Sequence, residues 1–449
     1  KMAYRKIFNW SRTKSCYAKI LYPKTYLEIS NILKQNKEEK SFSFKASGGS
    51  YGDCFLNDKG TIVDLNNFNQ ILNLNKKNKT IVVQCGVKIQ SLLNYLMPKG
   101  FYLNSIPGFN EATVGGCINS NVHGKDAHLE GVFGNNVLSL KVMNSLGEIF
   151  NIQKGNKNFS SAIGFYGLSF IILEAKLKII KTNSTLLKVD TLKFSNYQRL
   201  FDLFKKYEKT KFPMMGAWIN HFDNDGSGIF KAAKWHKEKT KKFKKINLLS
   251  NVIKKFIITF IYPFLNIFFI NRFVIKHLNF LLYKFSNNNK KISHYSDFYF
   301  PQQKFLPEES KLYGGGKINI QILIPQKEVL RILRSINKLC NFYKMESWWL
   351  GIKKHKNDKF IFSYALDGYD ITLQWSKNYT NQEKFKYFYK KLLNLVIKNR
   401  CLIYLTQDVL LSKKEFKKIY KNYKKFNKIK LKLDPKLKFK NNLFRRLLS

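Results

Sequence analysis

The sequence predicts an α+β protein with more than one domain. Three observations carry that prediction. Short strand-like segments punctuated by turn signals fill residues 1–182. Two glycine-rich polar loops lie among them. Beyond residue 183 longer strands alternate with amphipathic helices. The chain has 449 residues, enough for two or three sizeable cores, and 44% of them are apolar with only nine prolines, which excludes a disordered chain.

Residues 26–37 have helical spacing. Strand-like pieces follow at 41–46, 61–65, 80–86, 138–143 and 148–152, separated by turns such as Asn57-Asp58-Lys59-Gly60 and Ser145-Leu146-Gly147. A helix at 88–98 ends at Pro98-Lys99-Gly100, and 168–181 reads as the strand that closes the first domain. In the second domain, strands at 317–324 and 369–375 alternate with helices near 326–341 and 381–399. The expected division is 1–182, 183–398 and a C-terminal segment 399–449, whose stretch 413–446 reads as basic and helical.

Lys and Arg number 80 against 29 acids, a formal charge of +51. Such a field suits an anionic surface or ligand, and AT-rich coding drift produces the same composition. No recognisable nucleic-acid-binding module is present, so nucleic acid is not an expected partner. The most basic stretch, 231–245, runs into an aromatic-rich apolar stretch, 247–273. The apolar run is shorter than the ~20 residues of a spanning helix and contains Pro263 and Asn266, so 231–285 is expected to lie against a membrane surface. The competing reading is a buried helix with a solvated lysine face. The six cysteines are dispersed and form no zinc-ligand spacing, and the N-terminal residues lack a signal-peptide apolar core. No metal site and no disulfide are expected.

The richest signal is SIPGFNEATVGGCINSNVHGKDAHLEGVFGNN at 105–136. Glycines let a backbone approach a large ligand, and successive free amides cradle phosphate. Gly48-Gly49-Ser50-Tyr51-Gly52-Asp53 forms a second such loop upstream. Neither is a dinucleotide fingerprint or a P-loop. Two such loops suggest a long cofactor containing phosphate.

The ordered set GGSYGD at 48–53, Pro107-Gly108, TVGG at 113–116, VHGK at 122–125 and GVFGNNV at 131–137 resembles the vanillyl-alcohol-oxidase-type (PCMH-type) FAD-binding family. Within it the chain is most similar to the branch of decaprenylphosphoryl-ribose oxidase-like flavoproteins. The likeness extends through Trp10-Ser11-Arg12-Thr13, Gly167-Leu168-Ser169, Trp218, the 320–325 strand, Asp434-Pro435 and Arg445-Arg446-Leu447. It implies a two-subdomain PCMH-type FAD-binding domain and a substrate domain with an antiparallel sheet and flanking helices.

The resemblance also implies site roles. FAD would be bound by Ser47, Gly48, Gly49, Ser50, Tyr51, Gly52 and Asp53, with Gly108, Thr113, Val114, Gly115 and Gly116 around the pyrophosphate. Ser120, Asn121, Val122 and His123 would follow toward the flavin, with Ile171 at the adenine end and Tyr404 near the isoalloxazine. Covalent relatives carry a histidine in the first loop; Gly49-Ser50-Tyr51 lacks it, so noncovalent FAD is expected. Lys125, Trp218, Tyr313, Asn319, Gln321, Lys353, Asp370 and Thr372 fall at substrate-side positions, with Lys354 as an alternative to Lys353. His123, Lys125, Tyr51, Gln407 and Asp370 are the candidate catalytic groups. Gln407 stands where the family has lysine, Thr372 where it has cysteine and Asp370 where it has asparagine.

The implied reaction oxidises a secondary alcohol of a polyprenyl-phosphate-linked sugar to a keto-sugar, as the first half of an epimerisation in cell-wall polysaccharide biosynthesis. A short-chain reductase would complete it, with the enzyme peripheral on the cytoplasmic face of a bacterial membrane. The alternatives are an oxidase of soluble polyols or aldonolactones, and a flavin-binding membrane scaffold weakened by Gln407.

Overall fold

The computed structural model describes residues 3–35, 41–210, 212–237, 251–301, 309–313, 315–379 and 381–449. Among them the strands form four sheets. The first sheet orders Arg5–Phe8, Ser15–Leu21, Thr61–Asp64 and Phe42–Lys45. The second orders Ile71–Asn75, Thr80–Gln84, Ile171–Lys178, Val137–Met143 and Ile149–Gln153, all antiparallel. Helix Ile89–Leu96 buries Ile89, Leu92, Leu93 and Leu96, spacing that places one apolar stripe on this core. The short helix Val114–Asn119, capped by the Thr113 side chain, carries the glycine-rich segment into the same core.

A third, two-stranded sheet pairs Phe101–Tyr102 with Ile180–Lys181. The fourth sheet is an eight-stranded antiparallel one. Its order is Asn289–His294, Leu186–Phe194, Gly228–Trp235, Met214–Ile219, Leu350–His355, Gly368–Ser376, Lys317–Pro325 and Leu402–Ile403. Side chains alternate across a strand, and the sequence KINIQILIP shows the consequence. Ile318, Ile320, Ile322 and Ile324 join Ile352, Ile371, Leu373 and Trp375 in one core. Helices Tyr197–Lys209, Val329–Tyr343 and Gln382–Lys398 cover that face. The other face therefore carries the polar set Lys317, Asn319 and Gln321.

The C-terminal segment ties the two cores together. Its 413–446 stretch is helical as expected, in three helices, Lys413–Ile419, Tyr423–Leu433 and Asn442–Leu447, separated by the turn at Tyr420 and by Asp434-Pro435. Phe42 donates its amide to the Lys438 carbonyl (2.7 Å), while Phe426 and Leu443 pack under the large sheet.

The basic–apolar stretch divides differently from its sequence reading. Residues 231–235 belong to the strand Gly228–Trp235, where Phe230 and Ala232 face one core and Ala233 the other. Residues 238–250 lie outside the described residues. Asn251–Phe256, a π-turn at Ile257–Ile261 and Tyr262–Phe269 continue one into the next, and Arg272–Phe285 returns. Pro263 sits in the first turn of its helix, where its missing amide costs little, so it does not break the path. No helix among the described residues is long and apolar enough to cross a membrane.

Candidate active site

The site forms where the glycine-rich segment of the first domain meets the polar face of the eight-stranded sheet. Register brings the sheet residues together. Asp370 pairs with Lys353, Thr372 with Gly351 and with Gln321, and Trp218 with Gly351. Trp218, Lys353, His355, Asp370, Thr372, Asn319 and Gln321 consequently share one face. Lys354, one position away, points to the opposite face and pairs with Glu208 (2.6 Å). Strand alternation thus selects Lys353 over Lys354.

His123 enters this face from the first domain. Its Nδ1 is 3.1 Å from Lys353 Nζ and its Nε2 is 3.3 Å from Gln321 Nε2. The Asp370 carboxylate is the hub. Its Oδ2 accepts from the Gln321 amide and lies 3.2 Å from His355 Nε2, 3.7 Å from His123 Nε2 and 3.8 Å from Lys353 Nζ. Burial alone pushes the Asp370 carboxyl up. Lys353 and the His355 and His123 imidazoles outweigh that and hold it well below the usual carboxylate range. Asp370 is therefore a fixed anion and a poor proton acceptor, which corrects its candidacy as a base. His123 is driven the other way: burial, then Lys353 and His355, lower its pKa well below the ordinary imidazole value. It is a neutral imidazole at pH 7, a weaker base than a free imidazole but one that keeps a ring-nitrogen lone pair.

His123, His355 and Asp370 each offer a metal-ligand atom within 4.8 Å of one another. The Lys353 ammonium already lies against the same donors, so the cluster carries its own cation.

Lys125 is half-buried rather than a surface lysine. Its ammonium donates to the carbonyls of Phe298 and Tyr299, the latter at 3.2 Å. Burial, then Lys353 and Lys231, brings its pKa down to about 7. Tyr51 lies in a different cluster. Its hydroxyl donates to Glu309 Oε1 (2.8 Å), which also accepts from the fully buried Lys317 (2.5 Å). Burial and then the Glu309 charge raise the Tyr51 pKa well above the phenol range, so it stays protonated and cannot act as a base. Tyr313 flanks Lys317, with the ammonium 5.5 Å from its ring. Gln407 accepts a hydrogen bond from Asn319, and Tyr404 donates to the Ser120 carbonyl (2.8 Å).

The first glycine loop fits a phosphate-bearing cofactor. Among the described residues, the amides of Ser47, Gly48, Gly49, Ser50 and Tyr51 donate to no protein acceptor, in a half-buried loop. Gly48 adopts φ +67°, and a Cβ on Gly49 would come within 2.4 Å of the Phe109 ring. The second segment contributes differently from expectation. The amides of Val114 and Gly115 are spent on the carbonyls of Val87 (2.9 Å) and Cys85 (2.8 Å), and Gly116 caps onto Thr113 Oγ1. Gly108 lies exposed on the rim, Asn121 turns the chain at φ +42° beside half-buried Val122, and Ile171 is buried at the start of its strand. The carboxylate of Asp53 faces Arg446. Gly52 is needed for packing, since a Cβ there would meet the carbonyls of Leu405, Thr406 and Asp408 within 2.9 Å.

Residues 17–153 match the family of FAD binding domains. That segment is an FAD-binding domain of the PCMH type. The chain is 23% identical to the decaprenylphosphoryl-beta-D-ribose oxidase of Mycolicibacterium smegmatis over 99% of this chain and 97% of that protein. It is 35% identical to a D-2-hydroxyglutarate dehydrogenase of Haemophilus influenzae over 30% of this chain and 14% of that protein. It is 23% identical to the L-gulonolactone oxidase of Mus musculus over 48% and 49% of the two. These enzymes act on CH–OH groups, and this flavoprotein is an FAD-dependent oxidoreductase of that kind.

Sequence reasoning missed His355, Glu309 and Arg446. His355 was legible in principle: in LGIKKH it alternates with Lys353 and so shares its face. Glu309 and Arg446 have no local signal, because their partners are distant in sequence.

Proposed function

We propose that this flavoprotein oxidises a secondary hydroxyl of a polyprenyl-phosphate-linked sugar to a ketone. The observation that carries the reading is the buried His123–Lys353–Gln321–Asp370 cluster with Lys125 nearby, supported by a likeness to the mycobacterial ribose oxidase along nearly the whole chain. FAD, when bound, accepts the hydride from the substrate C–H bond at its N5. The loop amides of residues 47–51 hold its phosphates. His123, a neutral imidazole, takes the hydroxyl proton on its free lone pair. Lys353 and Lys125 face the substrate anion, and Asn319, Gln321, Thr372 and Trp218 line the sugar pocket. Gln407 orients through Asn319 rather than supplying a charge. FAD is held noncovalently, since the first loop lacks a histidine; flavin released quantitatively by acid precipitation is the expected result.

A lipid-linked substrate calls for a membrane-facing element, and the 251–285 helices suit it. Phe260, Phe273 and Phe285 are 64%, 71% and 72% exposed, beside exposed Lys255, Lys276 and Lys284. Sedimentation with phosphatidylglycerol vesicles should be strong and should fall in Phe273→Glu/Phe285→Glu. The ketone would pass to a short-chain reductase that completes an epimerisation at the inner membrane face.

The deciding experiment is anaerobic flavin bleaching. Prenyl-phosphoryl ribose should bleach the flavin within seconds and xylitol should not. Rapid bleaching by xylitol or a lactone would establish the second reading, a soluble polyol or aldonolactone oxidase. That reading draws on the Asp370 carboxylate, which offsets the charge of Lys353 in the pocket. Bound flavin that no alcohol reduces would mark a scaffold.

A further inference from the structure

The C-terminal helix Asn442–Leu447 ends against the cofactor loop through one side chain. Arg446 Nε and Nη2 each donate to one oxygen of Asp53 at 2.9 Å. Nη1 donates to Asp408 Oδ2 (2.8 Å) and the Leu411 carbonyl (2.7 Å), and Nη2 to the Asp408 carbonyl (3.1 Å). All five guanidinium N–H groups are used. Both carboxylates are buried, and Asp53 closes the loop whose amides are free while Asp408 directly follows Gln407.

Other bonds converge on the same joint. The Gly52 amide and Ser50 Oγ both donate to the Thr406 carbonyl, at 2.6 and 2.8 Å. Asn441 Nδ2 donates to the Cys54 carbonyl (2.6 Å). The phosphate-facing loop, the Tyr404–Asp408 turn and the last helix thus move as one piece.

We propose that Arg446 is a positioning residue for FAD. It fixes the free amides of residues 47–51 relative to Gln407, and it neutralises Asp53, whose carboxylate would otherwise stand beside the cofactor's phosphates. The inference rests on the FAD-binding assignment, not on the identity of the sugar.

Arg446→Lys tests it, because lysine keeps the charge but cannot reach both carboxylates and both carbonyls at once. The FAD dissociation constant of this chain, followed by flavin fluorescence, should rise roughly ten-fold or more. The absorption maxima of the flavin that remains bound should shift, and the loss of FAD affinity should exceed what any fall in the urea midpoint of the flavin-free chain accounts for. Unchanged FAD affinity and spectrum would overturn the proposal. So would a loss of affinity matched by equal destabilisation of the flavin-free chain, which would mark a purely structural tie. If the lysine variant is insoluble, Asp408→Asn serves: weakened FAD binding supports the role, and unaltered binding sinks it. Flavin in the parent protein is measured separately, so failure here is distinguishable from failure of the FAD assignment.

Discussion

Two ion clusters flank the cofactor groove, and they are built on opposite principles. Around Arg446 all five guanidinium N–H groups have acceptors, and both buried carboxylates are paired. Around Asp370, Asp370 Oδ1, Gln321 Oε1, Asn319 Oδ1, Asn121 Nδ2, the Tyr364 hydroxyl and His355 Nδ1 find no hydrogen-bond partner among the described residues. Leaving buried polar groups unpaired costs free energy, and folded chains retain such groups mainly where they bind or react. A saturated network is a frame; an unsaturated one beside it is a site. Charged groups do structural work in one place and wait for a ligand in the other.

If that contrast holds, breaking the frame should cost stability and breaking the site should cost turnover. The largest effect is expected from Arg446→Met, which leaves Asp53 and Asp408 buried without a cation. Removing one partner of such a network destabilises by about 3–5 kcal/mol, measurable by urea denaturation. His123→Ala should leave the urea midpoint nearly unchanged while flavin reduction by substrate slows at least ~100-fold, the usual cost of losing a general base. A variant that unfolds instead would place His123 in the frame.

Smaller effects sharpen the comparison through pH. Lys125, with its pKa near 7, is cationic only below that value. KM for an anionic substrate should rise roughly ten-fold as pH climbs through 7, the worth of one charge-assisted contact, and Lys125→Met should abolish the dependence. The stability sign is opposite to that of a paired lysine. The folded pKa lies below the unfolded value of about 10.4, so the folded state carries its full penalty below pH 7 and recovers as pH rises toward the unfolded pKa. The smallest effect belongs to Asp370. Its folded pKa is depressed, so its stabilising contribution is present above the unfolded value of about 3.9 and lost as pH falls through the folded one. Asp370→Asn should flatten that acid limb in denaturation series and lower stability at pH 7, where the contribution of the charge is fully present.

Much of the fold was legible because it is periodic. KINIQILIP alternates and is a strand with one core face and one polar face. The spacing in 88–98 gives the buried stripe of helix Ile89–Leu96. Strands such as Gly228–Trp235 hid because lysines at 231 and 234 on a half-exposed strand look like a charge run. The basic helical reading of 413–446 holds as three helices, with Asp434-Pro435 marking one of the breaks.

By itself the sequence pointed to a long cofactor containing phosphate, because glycine-rich loops are a local requirement of backbone conformation and close approach; the resemblance carried by the ordered motifs named it as FAD. Only the tertiary structure decided the partners of the site residues. Register put Lys353 rather than Lys354 against His123 and added His355 to the Asp370 hub. The returning C-terminal helix turned Asp53 from a presumed cofactor contact into a ligand of Arg446, 393 positions away. Conformational preference is written in neighbouring residues; electrostatic environment is set by whatever the fold brings within a few ångströms, and no local pattern encodes that.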